Sequence, residues 1–261
     1  MKGGCGMPQK QKWLKPTIAA GAGLVLALLV LLCVHRLSLR PEEAPPVSST
    51  VSAPPVESEP PVVLPDNPID FATLQAENPD VVGWIRVPGT VIDYPVMRSG
   101  EGTKEDFYLH HDTDRSYLFA GSIYMQKVNS PDFSDAATLL YGHNMKNGSK
   151  FAALHKFKQK TFFDENRTLY IYTPGHIYTY DIYSLFVHNN LLITAVYDFS
   201  NPADIAAYQQ LTLEPKSYTK QVREGVVLGP DDRLVTLSTC TNKDDERLLL
   251  HAVLREDTPT K

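Results

Sequence analysis

Eight prolines fall between residues 41 and 65 (PEEAPPVSSTVSAPPVESEPPVVLP), with almost no large apolar residues among them. Proline fixes φ and removes a backbone donor, so this stretch supports neither a helix nor a sheet ladder. It also buries too little apolar surface to offset the entropy of ordering, and it reads as an extended, semi-rigid spacer. The spacer divides the chain. Whatever folds must do so after it, and residues 66–258 are a suitable length for one domain with its own core.

Ahead of the spacer, Thr17–Val34 (TIAAGAGLVLALLVLLCV) is eighteen residues without a charge. As a helix it would extend roughly 27 Å, enough to cross most of a bilayer's hydrocarbon core. Lys2, Lys10, Lys12 and Lys15 precede it, whereas Arg36 and Arg40 are followed at once by Glu42 and Glu43. The positive-inside rule then keeps residues 1–16 in the cytoplasm and exports everything after the segment. No small-x-small cleavage site follows the apolar run, so an uncleaved anchor over 17–36 is expected in place of a removable signal peptide. The expected organisation is a cytoplasmic N-terminus (1–16), a single-pass membrane anchor (17–36), an extracellular linker (37–65) and an extracellular domain (66–258). A net charge of −5 with no basic stripe argues against nucleic acid as a partner.

Within the exported part, residues 69–79 (IDFATLQAENP) predict a short helix stopped by Pro79. Short β-prone runs follow: VVGWIRV, VIDYPVM, GSIYMQ, ATLLYG, TLYIYT, HIYTYDIYSLFVH, GVVLG, RLVTLSTC and RLLLHAVLR. NPADIAAYQQLT (201–212) predicts a helix with an Asn cap and proline in its first turn, and SKFAALHKF (149–157) a shorter one. The class is mostly β, a barrel or sandwich with a few added helices.

Of three cysteines, Cys240 is the one that falls in the exported domain. It is either a buried small hydrophobe or a reactive group. The strands ending at Cys240 and starting at Arg247 are joined by TNKDDE, too polar to pack inside, so a tight connection would set Cys240 facing Arg247. A guanidinium there can bind an oxygen that turns negative in a transition state. A thiol nucleophile also needs a proton partner, usually histidine. Of the seven downstream histidines, His143 is the best candidate, because YGHNM follows an apolar strand with residues that permit a sharp exit. His155 reads as a helix-surface residue, His188 as a strand end, and His251 as a packing residue in mid-strand. HHDTD (110–114) reads as a solvated turn, since adjacent strand histidines point to opposite faces and rarely share a metal.

TLSTC at 236–240, an arginine opening the next strand, and YGHNM about a hundred residues upstream together resemble the sortases, more narrowly the class B group of Gram-positive bacteria. VVGWIRVPGTVIDYPVM, FYLHHD and AGSIYM resemble that family's opening segments, and the helix at 201–212 sits where class B members carry an extra one. The resemblance implies a sortase-like closed β-barrel and a cysteine transpeptidase that works without a cofactor or metal. Its substrates would be secreted proteins with a C-terminal sorting signal of NPxTx type, cleaved after threonine. The acceptor would be a peptidoglycan-precursor amine of the lipid II type, or a pilin lysine in a polymerising enzyme. By the same resemblance Cys240 is the nucleophile, His143 the proton donor and acceptor, and Arg247 the oxyanion partner, with the Thr241 N–H as a second donor. Leu109 and Ser238 match positions lining the family's peptide groove. The chain departs from its relatives at Gln126, where many carry an acid. A non-catalytic β-domain on a stalk, with Cys240 merely buried, is the competing reading.

Overall fold

The computed structural model describes residues 64–261. The expected anchor and most of the proline-rich linker lie outside that range, and no helix among the described residues is long and apolar enough to cross a membrane.

A first helix, α1 (Phe71–Glu77), is capped by Asp70, whose carboxylate accepts the Thr73 N–H at 3.0 Å. Nine strands follow: β1 (Val81–Arg86), β2 (Asp93–Met97), β3 (Ile123–Met125), β4 (Ala137–Tyr141), β5 (Thr168–Thr173), β6 (His176–Asn189), β7 (Lys220–Val222), β8 (Leu234–Cys240) and β9 (Glu246–Pro259). They pair in the order β5-β1-β2-β3-β4-β8-β9-β6-β7, and β5 also pairs with β6. That last pairing closes an eight-stranded barrel, with β7 left as an appendage on β6. Closure needs a strand long enough to serve several partners. The fourteen residues of β6 take β9 along one edge, with β5 at residues 176–181 and β7 at 184–186 on the other.

Strand periodicity sorts the side chains into two layers. Ile85, Val96, Ile123, Leu140, Ile171, Ile182, Leu237 and Leu250 come one from each barrel strand, all wholly buried in one cluster that fills the interior. The alternate residues Leu139, Tyr141, Leu249, Val253, Tyr183 and Phe186 face outward. They are covered by α3 (Ile193–Val196) and α4 (Pro202–Leu213), through Ile193 and Tyr208. The expected helix at 201–212 is α4, with Asn201 accepting the Ala203 N–H at 3.0 Å.

One strand expectation needs correction. GVVLG is not a strand. The edge of β6 it would need is held by Lys220–Val222, and Gly225 turns the chain at φ +75° while Val226 and Leu228 pack onto the outer layer. The short helix expected at SKFAALHKF is present as a 3-10 helix, Phe151–Lys158, followed by a short α2 (Lys160–Glu165).

Candidate active site

β8 runs parallel to β4 and antiparallel to β9. The first register pairs Tyr141 with Ser238, the second Cys240 with Arg247. Past Tyr141 the Gly142 N–H still bonds to the Ser238 carbonyl at 3.2 Å, and the chain then leaves β4 through His143 and Asn144, whose side-chain N–H reaches the Cys240 carbonyl at 3.0 Å. Cys240 and Arg247 therefore face each other across β8 and β9, and His143 follows the end of the neighbouring strand β4. Antiparallel pairing with β6 adds His188 beyond Arg247. Because the Ser238 carbonyl points toward β4, that of Cys240, two residues on, points the same way. Cys240 and Arg247 thus form a pair that exchanges no ladder hydrogen bonds, the kind whose side chains lie closest.

The three residues are 6 % (His143), 8 % (Cys240) and 7 % (Arg247) exposed, at the rim of the barrel. The Arg247 guanidinium is held by Nη1–H bonds to the carbonyls of Asp244 (3.0 Å) and Glu246 (2.8 Å), within the connection that turns β8 into β9. Burial lowers its pKa, but guanidinium stays charged at any physiological pH.

Burial likewise pulls the His143 pKa below its ordinary value, so the ring is neutral near pH 7. Its Nε2 lies 2.8 Å from the Leu109 carbonyl, which can only accept, so Nε2 carries the proton and Nδ1 is left for proton exchange. Phe119 and His110 flank the ring, with centroids at 5.9 and 5.3 Å. Leu109 belongs to a 3-10 turn, Phe107–Leu109, and its side chain is buried in the outer layer while its carbonyl orients His143. That arrangement requires Gly121 (φ +53°), since a Cβ there would stand 2.2 Å from the Leu109 oxygen.

Gly142 in YGHNM is there for space. A Cβ would meet Ile123 at 2.5 Å and the Phe151 ring at 2.9 Å. Ser238 lies buried on the same face as Cys240, between Tyr141 and Leu249. Thr241 is half-buried, and its hydroxyl accepts the Lys243 N–H at 3.1 Å inside the loop. Gln126 is buried beneath α3, where its Oε1 accepts the Thr194 hydroxyl at 3.1 Å.

Two residues at the site were not anticipated as part of it. The Cys240 carbonyl oxygen accepts the side-chain N–H of Asn144 and the Nε2–H of His155, each at 3.0 Å. Asn144 was visible within YGHNM. His155, read as a helix-surface residue, is half-buried on its 3-10 segment and bonds the Cys240 carbonyl. His111 bonds through Nδ1 to the Phe107 carbonyl at 2.6 Å and stacks on the Phe107 ring.

A cysteine, a histidine and an arginine aligned on the rim of a closed barrel are the equipment of a cysteine acyl-transfer enzyme. Residues 85–255 match the sequence profile described as "Sortase domain", and the chain belongs to the sortase family, whose general chemistry is cysteine transpeptidation. Its relatives place it in class B. It is 35 % identical over 179 residues to sortase B of Listeria monocytogenes, covering 68 % of this chain and 70 % of that protein. To sortase B of Staphylococcus aureus it is 30 % identical, covering 67 % and 69 %. The crystal structure of Clostridium perfringens sortase B superposes with a TM-score of 0.64 at 33 % identity, over 72 % of this chain and all of that one. A Staphylococcus aureus sortase B–substrate complex gives 0.62 at 25 % identity, over 71 % and 86 %.

Proposed function

We propose that this protein cleaves an NPxTx-like sorting signal after threonine and transfers the new carboxyl end to a peptidoglycan-precursor amine. The observation that carries this reading is the cross-strand pair of Cys240 and Arg247 at the ends of β8 and β9, with His143 just past the end of neighbouring β4.

Cys240 gives its thiol proton to Nδ1 of the neutral His143 ring, and the resulting thiolate attacks the threonine carbonyl carbon. Charge builds on the carbonyl oxygen, and the Arg247 guanidinium with the Thr241 N–H stabilises it. As the tetrahedral centre collapses, the C–N bond breaks and protonated His143 delivers its Nδ1 proton to the leaving amine, leaving a thioester on Cys240. The incoming amine attacks that thioester, and neutral His143 removes its proton. Collapse then expels the Cys240 thiolate and completes the new amide. Ser238 and Leu109 border the groove that receives the signal peptide. Staphylococcus aureus sortase B has been solved in complex with a substrate, which supports the reading for this chain. Residues 17–36 would hold the enzyme in the plasma membrane, with 37–65 lifting the domain outward toward secreted substrates.

The test uses the full chain in detergent with quenched peptides bearing NPxTx or LPxTx cores, with and without triglycine. Expected is cleavage that depends on Cys240, faster for NPxTx, with mass spectrometry finding the amine on the product. Cleavage without amine incorporation would make the enzyme a hydrolase. No cleavage of any peptide would favour the stalked surface domain.

A further inference from the structure

The double hydrogen bond on the Cys240 carbonyl has a consequence for the atom on the other side of that peptide. We infer that Asn144 and His155 are positioning residues that aim the Thr241 N–H at the oxyanion, by fixing the plane of the Cys240–Thr241 peptide. This rests on the reading of Cys240 as the nucleophile.

A peptide unit is planar and trans, so its C=O and N–H point in opposite directions, and no described peptide bond is cis. The Cys240 carbonyl is directed toward β4, where Asn144 Nδ2 and His155 Nε2 both donate to it at 3.0 Å. Both lone pairs of that oxygen are thereby occupied, and rotation of the peptide plane would break two bonds together. The Thr241 N–H must then point away from β4, toward the side on which Arg247 stands. That is the side of the strand from which Arg247 rises as the cross-strand neighbour of Cys240, so a charged donor and a backbone donor serve one oxyanion in this reading. Hydrogen bonds to an amide oxygen also polarise the unit and make its N–H a better donor.

Without these anchors the peptide would be poorly held, because Cys240 is the last residue of β8 and the ladder stops there. The anchors themselves are well supported. Asn144 bridges to Lys150, the Phe151 N–H bonds the His143 carbonyl at 3.0 Å, and Phe151 and Leu154 of the His155 segment are wholly buried in the barrel interior. One loop therefore carries the proton-transfer histidine at its start and both clamps on the nucleophile's carbonyl, so the two halves of the site are set by a common piece of structure.

The experiment compares Asn144→Ala, His155→Phe and His155→Gln in the full chain, measuring kcat and KM for the peptide substrate together with the rate of Cys240 alkylation by iodoacetamide. Alkylation is a displacement at saturated carbon and forms no oxyanion, so it reports on the thiol alone. The expected result is a drop in kcat of roughly 10- to 100-fold in Asn144→Ala and His155→Phe, part of the loss seen when an oxyanion donor is removed. KM should stay within about threefold and alkylation within about twofold, while His155→Gln, whose amide can still donate, recovers most of kcat. Unchanged kcat in both Asn144→Ala and His155→Phe overturns the inference, as does alkylation that falls in parallel with kcat. His155→Gln and Asn144→Ala carry the test if His155→Phe does not fold. Cys240→Ala separates the two levels: turnover that survives it defeats the reading of the nucleophile, whereas its loss beside fully active anchor variants defeats this inference alone.

Discussion

Thr236–His251 and Cys240–Arg247 are cross-strand pairs on the same face of the same two strands, four residues apart along each. The first pair is sealed. Thr236 and His251 are wholly buried, the Thr236 hydroxyl bonds to His251 Nδ1 at 3.0 Å and to the Tyr208 hydroxyl of α4 at 2.8 Å, and Phe186 stacks on the imidazole at 4.8 Å. His251 Nε2 finds no partner among the described residues, and burial drives its pKa down to about 3. The second pair lies where the helical cover and the ladder both end. There Arg247 is fixed by loop carbonyls, and the Cys240 carbonyl by Asn144 and His155. The two levels differ in their distance from the strand end: His251 is sealed beneath α4, whereas Cys240 is the last residue of β8. A polar group under α4 can only be neutralised, whereas one at the rim can meet a substrate.

The strongest way to break this contrast is Cys240→Ala. Peptide transfer should fall by roughly a thousandfold or more, as expected for removal of a covalent nucleophile, with the melting temperature close to that of the parent. A large drop in melting temperature with activity retained would make Cys240 the packing residue instead.

Arg247→Lys comes next. Lysine keeps the charge but cannot hold two loop carbonyls while presenting a planar fork, and kcat should fall on the order of 100-fold. Full activity in this variant would remove the guanidinium from the oxyanion site.

The sealed pair should instead show itself in stability against pH. His251 binds a proton with a pKa near 6.5 when unfolded and about 3 when folded. Between those values the unfolded state holds the extra proton. Its contribution is therefore fully present above about pH 6.5 and is lost as pH falls toward 3, by at most about 1.4 kcal/mol per pH unit. Denaturant titrations of the parent and His251→Leu should diverge over that window, the variant losing less, and converge above it. Parallel curves throughout would mean that His251 is not buried in its neutral form.

The smallest effect is expected from Tyr208→Phe, which deletes one buried hydrogen bond while Thr236 keeps its bond to His251. Stability should drop by about 1 kcal/mol, and kcat should be unaffected. A kcat change of tenfold would show that α4 bears on the rim as well as on the sealed pair.

Much of this arrangement was legible along the chain. The facing of Cys240 and Arg247 followed from two apolar runs around six polar residues, and His143 from a strand that exits through YGHNM. Asn201 and Pro202 announced α4. His155 was misassigned because its partner is a backbone carbonyl 85 residues away, which helical periodicity over nine residues cannot show. GVVLG has strand composition but lost its place to Lys220–Val222, a segment with no apolar pattern to advertise it. The orienting contact from Leu109 is made by a carbonyl, and every residue has one.

Local pattern by itself determined the eight barrel strands, the polar turn between β8 and β9 and which side chains share a face, because alternation and turn chemistry act over a few residues. Only the tertiary structure decided that β5 closes on β6, that β4 lies beside β8, and that Asn144 and His155 meet the Cys240 carbonyl. Those contacts join residues 85 or more positions apart in the case of the Cys240 clamps. They are selected by how the whole barrel closes around its core, and nothing in the neighbouring sequence encodes the partner.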